Sequence, residues 1–146
     1  MSELEGYQRA QAMILLDDMA YRFAANRNFA ADYVTTAATP TGAGVVCPVV
    51  AATMQQKDMR EWCLALQGAG EKTGTTNVGA MIGGRGCVEA LPNNEYLITV
   101  AWQGTGPVSA PAASVACGQN QYDGAQCTND RCRRVVTTIV KIAPLI

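Results

Sequence analysis

Apolar residues recur at helical spacing in the first part of the chain, give way to breakers, and alternate with polar residues near its end. Between Glu3 and about Asn26 the composition is mostly Gln, Ala, Leu, Met and Arg, all good helix formers. Tyr7, Ala10, Ile14, Met19 and Phe23 form an approximate helical stripe, widened by Met13, Leu15 and Leu16. The segment from Ala12 to Leu16 is apolar nearly all round, so the helix is expected to be covered on more than one side. Ser2 and Glu5 have the spacing of a capping box. About 24 helical residues span roughly 36 Å, long for a chain of this size. The helix begins without a preceding loop, as the downstream half of a longer, cut helix would.

Asn28 to Thr53 is rich in Ala, Thr, Gly and Pro, and reads as an ordered loop pinned by Cys47. Ala51 to about Gln67 reads as a second helix, with Met59, Trp62, Cys63 and Leu66 on one face. Gly68 to Gly86 is a glycine-rich loop with a short extended piece at Val78 to Ile82. It leads into a strand at Cys87 to Leu91. Pro92-Asn93-Asn94 then marks a hairpin turn. In the next strand Tyr96, Ile98, Val100 and Trp102 point one way, and Leu97, Thr99, Ala101 and Gln103 the other. Gly104 to Asn129 is a long polar loop, an entropic liability unless it is tied down. The last strand runs from Arg133 to Ala143 and ends at Pro144. Lys141 marks its own set as the exposed one, which turns Val136, Val140 and Ile142 toward the helices.

These elements predict an α+β domain spanning 1–146. A long N-terminal helix packs on a small antiparallel sheet, with a second short helix and loops tied by disulfides. Phe23, Trp62 and Trp102 are its expected core anchors. There are no repeats and no low-complexity tail.

Composition narrows the chemistry. The 146 residues carry a net charge of -1, and Arg131, Arg133 and Arg134 form the one basic cluster. Nucleic-acid binding is not expected, and the cluster reads as a solvated strand start. There is no histidine, hence no ordinary general base at neutral pH and no Cys/His zinc site. Cys47, Cys63, Cys87, Cys117, Cys127 and Cys132 contain no CxxC and read as a disulfide set. Ties are expected between the Cys117, Cys127 and Cys132 segment and the Cys47, Cys63 and Cys87 elements, with no pairs fixed. Disulfides imply periplasm or cell exterior. Because the chain carries no targeting segment, that segment is expected to have been cut away upstream.

Other candidates for chemistry are thin. Asp17 and Asp18 point in different directions on the helix. Glu89 and Glu95 flank the hairpin and read as a solvated strand edge. Asp123, Asn129 and Asp130 lack the closely spaced calcium-loop pattern. Gly83-Gly84-Arg85-Gly86 lacks the Lys-Ser/Thr ending of a phosphate loop. Ser109 and Ser114 have no base nearby in sequence. Neither catalysis nor a cofactor or metal is expected.

Four landmarks carry a family resemblance. The first is Gly6-Tyr7-Gln8-Arg9-Ala10-Gln11-Ala12, continuing through Asp17-Asp18-Met19-Ala20-Tyr21-Arg22 to Ala25-Asn26-Arg27. The second is Asp58-Met59-Arg60-Glu61-Trp62. The third is Gly84-Arg85-Gly86-Cys87-Val88, followed by Tyr96-Leu97-Ile98-Thr99-Val100-Ala101-Trp102-Gln103. The fourth is Arg133-Arg134-Val135-Val136-Thr137-Thr138-Ile139-Val140. In this order they resemble minor pilins of the PilV type, the type IV pilus modification proteins.

The resemblance implies a type IV pilin-like fold in which 1–27 is the second half of a spine helix and 28–146 is the head. It implies a structural subunit that joins other minor pilins and the major pilin in a complex that primes assembly and sits at the pilus tip, with a tip adhesin as a further partner. The absent first half of the helix would anchor the subunit in the inner membrane, facing the periplasm, before it enters the extracellular pilus. On this reading Tyr7, Met13 and Leu16 belong to the subunit interface, and Leu16→Glu is expected to weaken assembly more than folding. A type II secretion pseudopilin has the same layout and would be marked by calcium in the loop before the last strand. An unrelated disulfide-rich periplasmic binding module is the other alternative.

Overall fold

A computed structural model describes residues 3–68, 72–73, 76–77 and 81–143. Helix α1 (Glu3–Ala25) is followed by a 3-10 helix (Arg27–Tyr33) and a two-residue strand β1 (Thr41–Gly42). Helix α2 (Met54–Leu66) comes next, then a minor hairpin of β2 (Lys72–Thr73) and β3 (Thr76–Asn77). The main strands are β4 (Ile82–Leu91), β5 (Glu95–Gln103) and β6 (Arg133–Lys141). They form an antiparallel sheet in the order β1-β4-β5-β6. No described helix is long and apolar enough to cross a membrane.

Helix α2 starts where the side chains dictate. The Thr53 hydroxyl accepts from the Gln56 N–H, and the Gln56 side chain accepts from the Thr53 N–H, a reciprocal capping box. The capping box expected at Ser2 lies outside the described residues, and Glu5 turns to other partners. Pro144 and most of the Val78 to Ile82 piece also lie outside them. At the β4–β5 hairpin Asn93 and Asn94 adopt φ of 65° and 60°, which asparagine tolerates better than most residues.

The main core lies between the helices and the inner face of the sheet. Leu16, Met19 and Phe23 of α1 meet Trp62 and Leu66 of α2 and Val88, Ile98, Val100 and Trp102 of the sheet. The three expected anchors, Phe23, Trp62 and Trp102, are fully buried there. The Trp62 indole N–H donates to the Leu15 carbonyl at 2.9 Å, locking α2 to α1. The glycines of Gly83-Gly84-Arg85-Gly86 serve packing. Gly83 takes φ 65° at an irregularity in the β4–β5 register, and a side chain on Gly86 would run into the Trp62 ring.

The outer face of the sheet is covered as well, by the long loop before β6. Ala101, Tyr122, Cys127 and Cys132 form a second small core, and Thr99 is fully buried. Three disulfides hold the arrangement: Cys47–Cys63, Cys87–Cys117 and Cys127–Cys132. Only Cys87–Cys117 crosses between the two cysteine groups, as expected for all. The other two join cysteines within one group, at separations of 16 and 5 residues.

The basic cluster is not a solvated strand start. Arg133 is 1% and Arg134 8% exposed. The Arg133 Nε donates to Asp130 at 2.8 Å, and its Nη1 donates to the Val115 and Cys117 carbonyls. A buried guanidinium with several acceptors in one plane can staple a loop in this way. Arg131 alone of the three remains exposed.

Candidate assembly surface

The rotation of α1 about its axis decides what the molecule presents to a partner. Buried positions on this helix are Glu5, Gln8, Ala12, Leu15, Leu16, Met19 and Phe23, a continuous face at helical spacing. Two of the seven are polar. The Glu5 carboxylate accepts the Thr105 N–H at 2.7 Å, the Thr105 hydroxyl at 2.9 Å and Arg134 Nη2 at 3.0 Å. Burial raises the pKa of this carboxyl, but the Thr105 and Arg134 bonds outweigh it and hold the carboxyl below its ordinary value. The start of α1 is thereby fixed to β6 and the loop that precedes it.

The other end of α1 is fixed by an ion cluster. Arg22 reaches Asp18 at 3.0 Å, Asp58 at 3.0 Å and Glu61 at 2.7 Å. Burial opposes the Arg22 charge, yet the three carboxylates hold the guanidinium more firmly protonated than usual. Asp58 is buried and also accepts the Tyr33 hydroxyl at 2.6 Å, while Asn26 donates to that hydroxyl at 2.9 Å. Burial first, and then the bond to Asp58, push the Tyr33 phenol up to about 12. The Asp-Met-Arg-Glu-Trp run of α2 is therefore an anchor for α1: Asp58 and Glu61 hold its Arg22, and Trp62 holds its Leu15.

With those contacts made, the opposite face of α1 stays in solvent. Tyr7, Ile14 and Tyr21 are 55%, 63% and 76% exposed and recur every seven residues, with Leu4 and Met13 flanking them. Positions seven apart lie on one side of a helix, so these side chains form a stripe of large apolar groups along the solvent face of α1. Tyr7 and Met13, two of the three residues expected at an interface, are exposed. Leu16 is not: it is 1% exposed and packs within the core, because the helix is rotated to bury Glu5 and Gln8. The expected core stripe is corrected for the same reason. Tyr7, Ala10 and Ile14 face solvent, and Glu5, Gln8 and Ala12 take their place. Gln8 gave no apolar signal that would have identified it.

Other candidate groups are committed internally. The Asp130 carboxylate accepts the Asn120 N–H and Arg133, and Asp123 accepts the Asp130 N–H at 2.8 Å. Glu89 and Glu95 do not pair with each other. The register sets them opposite Leu97 and Leu91. Glu89 is half-buried, which raises the pKa of its carboxyl. Among the described residues no group of three or more His, Cys, Asp or Glu is placed to hold a metal. No family model, curated protein or solved structure matches the chain.

Proposed function

We propose that the chain is the head and lower spine of a type IV pilus minor pilin, a structural subunit and not an enzyme. Tyr7, Ile14 and Tyr21 carry this reading, because they leave an apolar seam on α1 after the domain has satisfied its own core. Contiguous exposed apolar surface marks a docking site. In a pilin the seam packs against the spine helices of neighbouring subunits. Three disulfides accord with a periplasmic and extracellular life. The PilV-type landmarks occupy positions that suit such a subunit, with Arg22 tied to Asp58 and Glu61 at the joint between spine and head. The secretion-system alternative would be marked by calcium before the last strand. Asp123 and Asp130 there are spent on backbone N–H groups and Arg133, which gives that reading no support.

The test is Ile14→Glu, placed in the full-length subunit in its own bacterium. Expected is a soluble domain that melts within about 2 °C of the parent, as exposed sites do, together with loss of crosslinking to other pilus subunits. Normal piliation and normal crosslinking would overturn the proposal. The reading frame upstream supplies an independent check. A short basic leader ending in glycine and an apolar run of about 20 residues merging into α1 is expected. A secretory signal ending in Ala-x-Ala would remove the pilin reading.

A further inference from the structure

The two outer edges of the sheet are finished differently. The β4 edge is covered: Thr35 N–H donates to the Val88 carbonyl, Val88 N–H donates to the Thr35 hydroxyl, and Ala43 N–H donates to the Gly84 carbonyl. β1 pairs with Arg85 and Gly86. The β6 edge has no such cover. Gly104 N–H donates to the Cys132 carbonyl and Ile142 N–H to the Asn94 carbonyl, one step beyond either end of the β5–β6 register. Alternation along an antiparallel ladder then turns the even-numbered backbone groups of β6 toward β5 and the odd-numbered ones outward. Arg133 N–H is taken by the Asp130 carbonyl. The N–H groups of Val135, Thr137, Ile139 and Lys141 point outward, and no hydrogen bond among the described residues uses them.

Two further features distinguish this edge from a guarded one. Val135 to Val140 contains no charge, proline or bulge, the devices that normally blunt an open edge. The inner face beside it is also incomplete. Ile98 and Val100 of β5 are fully buried, whereas Val136, Thr138 and Val140 of β6 are only half-buried. One more strand alongside β6 would complete both the hydrogen-bond ladder and the apolar layer under α1.

We infer that the β6 edge is an acceptor for an extended segment of another polypeptide, bound by strand addition. The segment would carry apolar residues at alternate positions, facing the helix side beside Val136 and Val140. It would carry an acidic residue near each end, because exposed Arg131 and Lys141 flank the edge and neither has an ion-pair partner among the described residues. A second copy is the poorer occupant. Residues 131–143 contain no acidic side chain, so the β6 edge of a second copy would leave Arg131 and Lys141 unmatched. The inference rests on the sheet register and not on the pilus reading.

The test uses the folded domain and an eleven-residue peptide with glutamate at its first and last positions, valine at every even position and threonine between, so that both glutamates share one face and reach Arg131 and Lys141. Backbone amide exchange is followed by NMR. In the free protein the amides of Val135, Thr137, Ile139 and Lys141 are expected to exchange fast, and saturating peptide is expected to slow them at least about tenfold. Thr137→Pro deletes one outward donor without touching the β5 ladder, a placement that an edge strand tolerates. It is expected to weaken binding about tenfold. Should that variant misfold, methylating the edge-facing amides of the peptide removes the reciprocal bonds, those the peptide donates to the outward carbonyls of β6, and is expected to abolish binding to the unmodified protein. Three outcomes would overturn the inference: no protection at millimolar peptide, undiminished binding of the methylated peptide, or a free protein that already protects these amides and sediments as a dimer.

Discussion

Replacing Cys87 and Cys117 together with alanine tests how the outer layer of the molecule is held. The three disulfides close consecutive loops, none inside another, with separations of 16, 30 and 5 residues. The Cys87–Cys117 loop therefore contains no second crosslink to shorten it. Loop-closure entropy for 30 residues gives about 3.6 kcal/mol at 25 °C. For the Cys127–Cys132 loop of 5 residues the same relation gives about 2 kcal/mol. A chain of 146 residues has an unfolding entropy of about 300 cal/mol/K at its midpoint. The expected falls in melting temperature are thus about 12 °C for the Cys87/Cys117 variant and about 7 °C for the Cys127/Cys132 variant. Calorimetry at neutral pH under non-reducing conditions measures both. Amide exchange should show the extra opening of the Cys87/Cys117 variant between Gly104 and Arg131, the segment which that bond ties to β4. The reverse order of the two variants, or a Cys87/Cys117 loss below about 4 °C, would refute the loop-length argument.

Three more predictions follow from single contacts. Leu16→Ala, at a position 1% exposed in the main core, is expected to cost about 3 kcal/mol and about 10 °C, measured by urea and thermal unfolding; a neutral result would return Leu16 to the surface. Glu5→Gln leaves the buried Arg134 without its counter-charge and is expected to cost about 3 kcal/mol at neutral pH. The Glu5 carboxyl is held below its ordinary value when folded, so its contribution is full above that value and fades as pH falls through the folded one. The gap between parent and Glu5→Gln should therefore close on acidification, and a constant gap in melting curves across the acid range would count against the ion pair. Gly86→Ala forces a methyl into the Trp62 ring and is expected to cost about 1–3 kcal/mol, with a changed Trp62 fluorescence; an unchanged midpoint would show that β4 and α2 pack less closely than described.

Much of the architecture was legible in the sequence because its signals are local. Strict alternation from Tyr96 to Gln103 gave β5, and the Pro92-Asn93-Asn94 turn gave its hairpin with β4. A run rich in helix formers gave α1, and the stretch between Pro48 and Gly68 gave α2, each to within a few residues. An even set of dispersed cysteines gave disulfides, and Lys141 gave the orientation of β6, with Val136, Val140 and Ile142 packed against the core.

What the sequence left open depends on contacts between distant positions. Helix α1 carries apolar residues on both faces, so its own periodicity does not choose between them. The choice falls to Thr105 and Arg134, 100 and 129 residues away, which draw Glu5 inward and leave Tyr7, Ile14 and Tyr21 outside. Cysteine spacing does not encode pairing, which follows from which backbones the fold brings within about 6 Å. Arginine reads as solvent-exposed until Asp130, Val115 and Cys117 close around Arg133. The uncovered edge of β6 has no local signature at all, since a strand sequence does not say which of its sides receives a neighbour. Alternation and propensity therefore determined the elements. The rotation of α1, the cysteine pairing and the closing of the loop around Arg133 were decided by tertiary structure, because a buried charge or an unpaired N–H is satisfied only by the partner that the whole fold delivers.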